Sequence, residues 1–377
     1  MEYKVLSGEY SEIQLATFSP ATNHGTREYH ALIKLKKVSG LNASVQLDLL
    51  EKTYESLKQE ISPATAVWKR YFLSDPCNQY TLFDKPDVAI SLVGQPPLDG
   101  TKMALWCYFV QEGRVDVDSD VITLTMPAYK HFYYYGLNDL SSGSYAQTLK
   151  LFNDLKGLMG RDKLNMAEHL LRTWVYVQAV DINYEGMVRA RREVFEQEGL
   201  NKDTHYVSST GIEGRHYLPS NLVFMDAYAV QGLKKEQQKF LYAPEHLSPT
   251  QVYGVTFERG TVVEYGDRKH VIISGTASID NQGRTLYPMD IQAQTQRMFE
   301  NLEALLSEAG AGFGDLVHAI VYLRDIADYE LVKSLVNNRL PNVPQVYVLA
   351  PVCRSQWLVE MECMAILPVS NKNFAPF

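Results

Sequence analysis

Hydrophobic and polar positions repeat along this chain with the period of helices in two segments that resemble each other. In both segments apolar residues recur at i, i+4, i+7 and i+8, which predicts helices that pack one face on a sheet. The two sets are Leu151, Leu155, Leu158 and Met159, and Met298, Leu302, Leu305 and Leu306. One offset of 147 residues relates them, so the pattern predicts a duplicated unit.

The elements that follow each helix repeat as well. A strand, a second helix and a closing strand are predicted at 172–177, 186–198 and 223–230, and again at 318–323, 329–340 and 359–366. The second copy opens with a hairpin at 262–275. Strand pairs and helices that do not strictly alternate favour an α+β fold, with two helices on one face of a mixed or mostly antiparallel sheet in each unit.

The duplication sets the predicted domain organisation of the 377 residues. We expect a degenerate first unit at 1–230 that includes an extra N-terminal segment, a linker at 231–252, and a second unit at 253–377 that carries the functional site. In the N-terminal part a helix is predicted at 41–61 and strands at 68–73, 88–92 and 103–111. The tyrosine run at 133–135 favours packing or an interface over base stacking.

The closing strand of the second unit carries two carboxylates. Alternation along a strand places one set of side chains on each face. The two sets are Trp357, Val359, Met361, Cys363 and Ala365, and Leu358, Glu360, Glu362, Met364 and Ile366. Acidic residues on an otherwise apolar face are expected at the mouth of a cleft or paired with basic residues. In the gapless alignment of the two closing strands, Glu360 matches Phe224 and Glu362 matches Asp226. Glu360 is therefore the predicted functional carboxylate, and Glu362 is a supporting candidate.

Composition narrows the classes of function. The net charge is −8 and the pI is about 5.7, which argues against a nucleic-acid-binding surface. There is no run of about 18 apolar residues and no signal-peptide pattern at the N-terminus, so we expect a cytoplasmic protein without a membrane span. The four cysteines are not arranged in CxxC pairs and no histidine cluster accompanies them, so no metal site is predicted. The glycine-rich stretch at 310–314 follows a helix, and no cofactor is expected.

Several residues of the second unit also carry a family resemblance. They are Ser274 and Gly275, Gln294 and Thr295, and the stretches 314–317, 321–323 and 359–362. From about 252 to 366 the chain resembles the RidA/YjgF superfamily, also known as endoribonuclease L-PSP or translation-initiation-inhibitor-like proteins. The resemblance implies a chorismate-mutase-like unit that usually assembles as a trimer with sites in the clefts between units. It also implies hydrolysis of enamines or imines, with a glutamate that matches Glu360; the arginine of the family has no counterpart at 344–346.

The chain as a whole resembles the chorismatases, which combine a degenerate first unit with an active second one. The stretches that carry this resemblance are 172–174, 181–183, 209–212, and Cys353 and Arg354 followed by the Glu360 strand. It implies hydrolysis of the enolpyruvyl ether of chorismate with release of pyruvate. Typical members carry asparagine where this chain has Val175, and a less charged segment than 213–215.

Enol ethers and enamines share a hydrolytic logic, in which protonation of the terminal carbon gives a cation that water attacks. This chemistry requires an acid of raised pKa and cations that hold carboxylates. Glu360 fits the first requirement, since burial and Glu362, about 7 Å along the strand, both raise a carboxyl pKa. Further candidate substrate-binding residues are Arg354, Arg215, Arg172, Tyr206, Tyr347 and Cys353, whose thiolate Arg354 would favour.

Three functions remain open from the sequence. The first is a chorismatase-like hydrolase or lyase, the second is a RidA-like imine or enamine deaminase, and the third is a non-catalytic metabolite-binding module. All three predict a small carboxylate ligand as the partner. All three also fit either a homo-oligomer, most simply a trimer, or a pseudo-oligomeric monomer.

Overall fold

The structure is a computed structural model, and it describes residues 1–21, 25–83 and 90–377, except for the side chain of Tyr253. The chain forms three mixed sheets of six strands each. Every sheet has the strand order 1-2-3-6-4-5, counted along the chain within each sheet. The first three strands are antiparallel neighbours. This arrangement, with helices packed on the sheets, confirms the predicted α+β class.

The first sheet occupies the N-terminal 110 residues. Its strands are β1 (Glu2–Ser7), β2 (Ser11–Phe18), β3 (Glu28–Leu35), β4 (Thr65–Leu73), β5 (Ile90–Val93) and β6 (Met103–Val110), with helices α1 (Ala43–Glu60) and α2 (Pro76–Gln79). Helix α1 begins at Asn42, whose side chain accepts a hydrogen bond from the Val45 amide at 3.0 Å and so caps a free N–H. Of the strand predicted at 88–92, Val88 and Ala89 lie outside the described residues.

The second sheet follows directly. Its strands are β7 (Arg114–Val117), β8 (Val121–Thr125), β9 (Lys130–Asn138), β10 (Leu170–Val177), β11 (Ser208–Glu213) and β12 (Val223–Gln231), with helices α3 (Gly143–Arg161), α4 (Met166–His169) and α5 (Val180–Gln197). The tyrosine run lies on β9, where the Tyr133 ring stacks on Tyr228 with centroids 4.7 Å apart and the Tyr134 hydroxyl donates to Asp162 at 2.9 Å. These contacts are packing contacts.

The third sheet forms the C-terminal unit. Its strands are β13 (Gln238–Leu241), β14 (Gly260–Glu264), β15 (Arg268–Ala277), β16 (Leu316–Leu323), β17 (Gln345–Leu349) and β18 (Val359–Pro368), with helices α6 (Ile291–Glu308) and α7 (Tyr329–Arg339). Val359, Met361 and their face of β18 pack in one apolar cluster with the buried residues of α6. The other face of β18, which carries Glu360, is turned toward the neighbouring unit.

The structure therefore contains three copies of one unit where the sequence predicted two. The N-terminal segment has the same strand order as the other two units. Its helix α1 corresponds to α3 and α6, whereas its second helix is the four-residue α2. Two smaller expectations also differ from the structure. Residues Gln238–Leu241, placed in the linker, form strand β13. The segment before the closing strand of the second unit, which is rich in Ser, Thr and Gly and was interpreted as a loop, contains strand β11.

Each unit contacts the other two, so the three sheets form a closed ring. Short β-bridges mark the three seams, and they join Gly94 to Arg215, Ile212 to Val352, and Pro97 to Val348. The three-unit arrangement that the resemblance implies between chains is thus present within one chain. None of the helices in the described ranges is long and apolar enough to cross a membrane.

Candidate active site

A cleft of about 480 Å³ lies at the seam between the second and third units. One wall consists of α5 and β11, and the other of β15, the start of β18 and the loop before it. The N-terminus of α5 is fixed by Glu213, whose carboxylate oxygens accept hydrogen bonds from the backbone amides of Ala179 at 3.0 Å and Val180 at 2.7 Å. The cleft therefore depends on both units and on a capped helix between them.

Glu360 reaches this cleft from the second position of β18. Its side chain is 5% exposed, and strand alternation turns it away from α6 toward the second unit. Burial, followed by the negative charge of Glu362, raises the pKa of Glu360 to about 8. At neutral pH most molecules therefore carry a protonated Glu360, which is a proton donor in a water-poor site.

Space for the Glu360 carboxyl group comes from a glycine on the adjacent strand. Strands β15 and β18 change register between Ile273 and Thr276, and Gly275 lies within this bulge. A Cβ atom at Gly275 would lie 2.8 Å from the carboxyl carbon of Glu360 and 3.1 Å from a methyl carbon of Thr210. Only glycine leaves room for the carboxyl group in this position.

Arginines dominate the charge of the cleft. The charged residues of its lining are Arg189, Arg191, Arg192, Arg259 and Arg354, and Asp181, Glu185 and Glu360. Hydrogen bonds fix three of the arginines, since Arg191 donates to Ser209 at 3.2 Å, Arg259 to the Ser248 carbonyl at 3.0 Å, and Arg354 to the Gly283 carbonyl at 3.1 Å. A positive cleft in a protein of net charge −8 favours an anionic ligand.

A buried ion pair supports the cleft from behind. Arg172 donates from one terminal nitrogen to Glu362 at 2.8 Å and to the Thr210 hydroxyl at 2.5 Å. The Trp174 indole donates to the other oxygen of Glu362 at 2.8 Å. Arg172 and Glu362 thus lie one layer beneath the cleft. Arg172 holds Thr210 at the surface of the cleft, and Arg172 and Trp174 together hold Glu362 near Glu360.

Cys353 lines the cleft, but as a neutral thiol. Burial, followed by the charge of Glu360, raises the pKa of Cys353 to about 12. The sequence analysis expected Arg354 to favour the thiolate. That expectation is wrong, because burial and the nearby carboxyl group outweigh the effect of the arginine.

Comparisons with known proteins agree with this architecture. The family model for endoribonuclease L-PSP matches residues 261–367. A RutC family protein of Pyrococcus abyssi is 32% identical over 97 residues, which are 25% of this chain and 76% of that protein. The chain belongs to the RutC family.

Two further similarities extend beyond this RutC unit. The 3-hydroxybenzoate synthase of Streptomyces hygroscopicus is 28% identical over 219 residues, which are 51% of this chain and 62% of that enzyme. The crystal structure of a chorismatase superposes with a TM-score of 0.64 and 16% identity, covering 95% of this chain and 100% of that one. The predicted membership of the RidA superfamily, with a chorismatase-like fold, is confirmed.

The structure brings only part of the predicted site of this RutC-family chain together. Glu360, Cys353 and Arg354 line the cleft, and Arg172 and Glu362 lie directly beneath it. The remaining three lie elsewhere, as follows. Arg215 is exposed at the seam of the first two units, where it donates to the Ser74 carbonyl at 3.2 Å. Tyr206 lines a separate hollow of about 100 Å³. Tyr347 is buried against Tyr329 of α7, with ring centroids 5.6 Å apart.

The sequence analysis missed the cleft residues supplied by α5 and by the segment before β14. Arg191 and Tyr184 occupy the cleft side of α5, with Val188 between them, a spacing that places them on one helical face. This spacing could have predicted from the sequence that the three side chains share a surface. Arg259 has no comparable signal, because it lies in an irregular segment whose position depends on packing between units.

At the other two seams of the RutC-family fold, Phe224 and Ala104 occupy the register position of Glu360. On the closing strands Glu360 pairs with Tyr322, Phe224 with Tyr176, and Ala104 with Phe72. These three pairs occupy the same register. Phe224 stacks on Tyr176 with centroids 4.8 Å apart, so aromatic rings fill that seam. Within residues 1–21, 25–83 and 90–377, no cluster of three or more metal-ligating side chains is present.

Proposed function

We propose that this chain is a chorismatase-type enzyme, which binds a small carboxylate metabolite in the cleft and hydrolyses its enol ether with release of pyruvate. The observation that carries the proposal is Glu360, a protonated carboxyl group buried in a cleft whose other charges are mostly positive. The similarity to a 3-hydroxybenzoate synthase supports the same chemical class.

Glu360 has the properties that the first chemical step requires. Its carboxyl group donates a proton to the terminal CH₂ carbon of the enolpyruvyl ether, which becomes a methyl group, and the ether carbon becomes an oxocarbenium ion. The resulting carboxylate then stabilises this cation at close range. Because the pKa of Glu360 is about 8, the acid form is available at neutral pH.

Water completes the reaction, and Glu360 returns to its starting state. A water molecule attacks the oxocarbenium carbon and gives its proton to the Glu360 carboxylate. The hemiketal then collapses, its carbon–oxygen bond to the ring breaks in favour of the alcohol, and pyruvate leaves. One water is consumed for each pyruvate and each alcohol formed, so the balance closes without a cofactor.

The arginines serve binding in this proposal. A guanidinium group binds a carboxylate through two parallel hydrogen bonds, and Arg191, Arg259 and Arg354 present three such groups around Glu360. Their hydrogen bonds to the protein hold the guanidinium groups in place before the substrate binds. Their positive charge attracts the carboxylate of an enolpyruvyl group and so places that group next to Glu360, the acid that protonates it.

The test is pyruvate release from chorismate by the purified protein, followed with a coupled lactate dehydrogenase assay. We expect turnover in the parent chain and a loss of roughly 10²–10⁴-fold in Glu360→Gln, the usual contribution of a general acid. Glu330→Gln, an exposed glutamate on α7, is the matched control and should keep full activity.

Other outcomes of the same assay point to the other two functions. A folded protein that releases no pyruvate from chorismate overturns the chorismatase proposal. Ammonia release from a dehydroamino acid that depends on Glu360 identifies an imine or enamine deaminase instead. Thermal stabilisation by a carboxylate ligand that survives in Glu360→Gln, without turnover, identifies a binding module.

Gly275→Ala is expected to reduce pyruvate release about 10- to 100-fold while the protein stays folded. The added methyl group displaces the Glu360 carboxyl group, and misplacement of a catalytic group by about 1 Å can cost 10²-fold. The control is Gly157→Ala in α3, where no heavy atom outside the helix lies within 4 Å of the new methyl group. Full activity in Gly275→Ala contradicts the role assigned to the Glu360 position.

A further inference from the structure

Arg324 is the first residue after strand β16, and its guanidinium group contacts both walls of the cleft. Its two terminal nitrogens donate to the two carboxylate oxygens of Asp181 at 2.9 and 3.0 Å, and Asp181 lies in the first turn of α5, on the wall of the second unit. On the wall of the third unit, Nε donates to the Trp357 carbonyl at 3.4 Å and Nη2 also donates to the Val352 carbonyl. Arg324 therefore connects the two units beside the cleft.

The two carbonyl groups stand at either end of a tight turn, residues 352–357, that carries part of the cleft. Cys353 and Arg354, which line the cleft, lie within this turn. The turn is closed by a hydrogen bond from the Trp357 amide to the Arg354 carbonyl at 3.0 Å, and the Arg354 guanidinium lies over the Trp357 ring, 4.8 Å from its centroid. Because Arg324 holds both ends of the turn, the position of the Arg354 guanidinium depends on it.

The same position in the other two units carries a different residue. Ser74, Gln178 and Arg324 each follow the fourth strand of their sheet. Their backbone amides donate to the carbonyl of the residue just before the sixth strand, at 2.9, 2.8 and 3.0 Å respectively. This backbone role is common to the three units, whereas the arginine stands in the unit that carries Glu360. The arginine therefore accompanies Glu360 and is not a general requirement of the fold.

The contacts of Arg324 require a guanidinium group. Its N–H donors lie in one rigid plane, and they serve two carboxylate oxygens and two carbonyl oxygens at once. A lysine keeps the positive charge, but its single nitrogen cannot reproduce this fork. The pair with Asp181 is half-exposed, since 51% of the aspartate side chain is accessible, and the charge alone therefore contributes little. Arg324 acts mainly through the directions of its hydrogen bonds.

We infer that Arg324 is a positioning residue, which fixes the 352–357 turn against α5 and so holds the Arg354 guanidinium where it binds the substrate. This role rests on the proposed function, in which Arg354 binds a carboxylate. Glu360 is held separately, by its place in strand β18 between β15 and β16. Loss of Arg324 therefore weakens substrate binding and leaves the proton donor in place. A contact that serves the substrate and the transition state equally affects KM and not kcat.

Pyruvate release from chorismate by Arg324→Lys tests this role through the division between KM and kcat. We expect KM to rise about 10-fold while kcat stays within about twofold, whereas Glu360→Gln lowers kcat. Asp181→Asn leaves the contacts of Arg324 with both carbonyls in place and should raise KM only about 2- to 3-fold. The control is Arg339→Lys, an exposed arginine of α7 that pairs with Glu303 at 2.7 Å, and it should change neither constant. An unchanged KM in Arg324→Lys, or a fall in kcat alone, overturns the inference.

Amide hydrogen exchange gives a second readout that needs no turnover. The Trp357 amide is hydrogen-bonded within the turn, and we expect it to exchange about 10-fold faster in Arg324→Lys than in the parent, while exchange in α6 stays the same. Equal exchange of the turn in the two chains overturns the inference, whether or not chorismate is a substrate. A parent chain that releases no pyruvate, together with faster exchange of the turn in Arg324→Lys, contradicts the proposed function and supports the positioning role.

Discussion

Glu360→Gln is expected to stabilise the protein at neutral pH while it lowers activity. The pKa of Glu360 is about 8 in the folded chain and about 4.3 in a model peptide. Because the folded pKa is raised, the folded state loses stability as pH rises above the unfolded value, and the loss is complete above pH 8. At pH 7 the cost is about 4 kcal/mol, and an uncharged glutamine does not incur it.

The measurement is urea unfolding of both chains between pH 4.5 and pH 8.5. We expect the free energies of unfolding to be similar at pH 4.5 and to diverge steadily up to pH 8 in favour of the variant. The contrasting substitution is Glu362→Gln, which breaks the buried pair with Arg172 and should lower stability by about 3–5 kcal/mol. A stability difference for Glu360→Gln that does not change with pH would show that the carboxyl group is not held in its acid form.

The second large effect is expected on acidification, because four histidines are buried in neutral form. Burial lowers the pKa of His131 and His318 to about 3, that of His216 to about 4 and that of His30 well below its usual value. Below pH 6.5 each of them binds a proton in the unfolded chain and not in the folded one. Glu360 offsets one of these four protons, because it is already protonated in the folded chain. The free energy of unfolding should therefore fall by about 4 kcal/mol for each pH unit, which is a net of three protons at 1.36 kcal/mol each.

The slope of stability against pH between 6 and 5 checks this expectation. His131→Gln should reduce the slope by about one third, whatever its effect on stability at pH 7. His169→Gln is the control, because His169 is only partly buried and its contacts lie within its own turn. An unchanged slope in His131→Gln would show that His131 does not supply one of these protons.

The sequence contained enough information for two of the three units and for one side of the site. Helices α3 and α6 were predicted because their apolar faces recur at a fixed offset, and Glu360 was singled out because Phe224 stands in its place in the sister strand. The first unit was not recognised as a copy, although Leu50, Tyr54 and Leu57 of α1 recur at the i, i+4 and i+7 spacing of α3 and α6. Its second helix has only four residues, and its closing strand carries Trp106 where the third unit has Glu362.

The rest of the site depends on packing between units, which local patterns do not encode. Arg191 and Arg259 lie 68 residues apart in the chain, and they meet only because α5 and the segment before β14 face each other across a seam. The same reason explains why the protonation state of Cys353 was predicted wrongly. The neighbouring Arg354 is visible in the sequence, whereas the burial that keeps the Cys353 thiol protonated arises from packing against a different unit.

Because the three units belong to one chain, a substitution can alter one seam and leave the other two unchanged. In an assembly of three identical chains, a substitution would alter every seam at once, and a ring that fills one cleft would fill them all. Here Phe224 closes one seam with an aromatic stack while Glu360 keeps another open. Covalent connection also replaces bimolecular association by an intramolecular one, so the cleft persists at dilutions that would separate independent subunits.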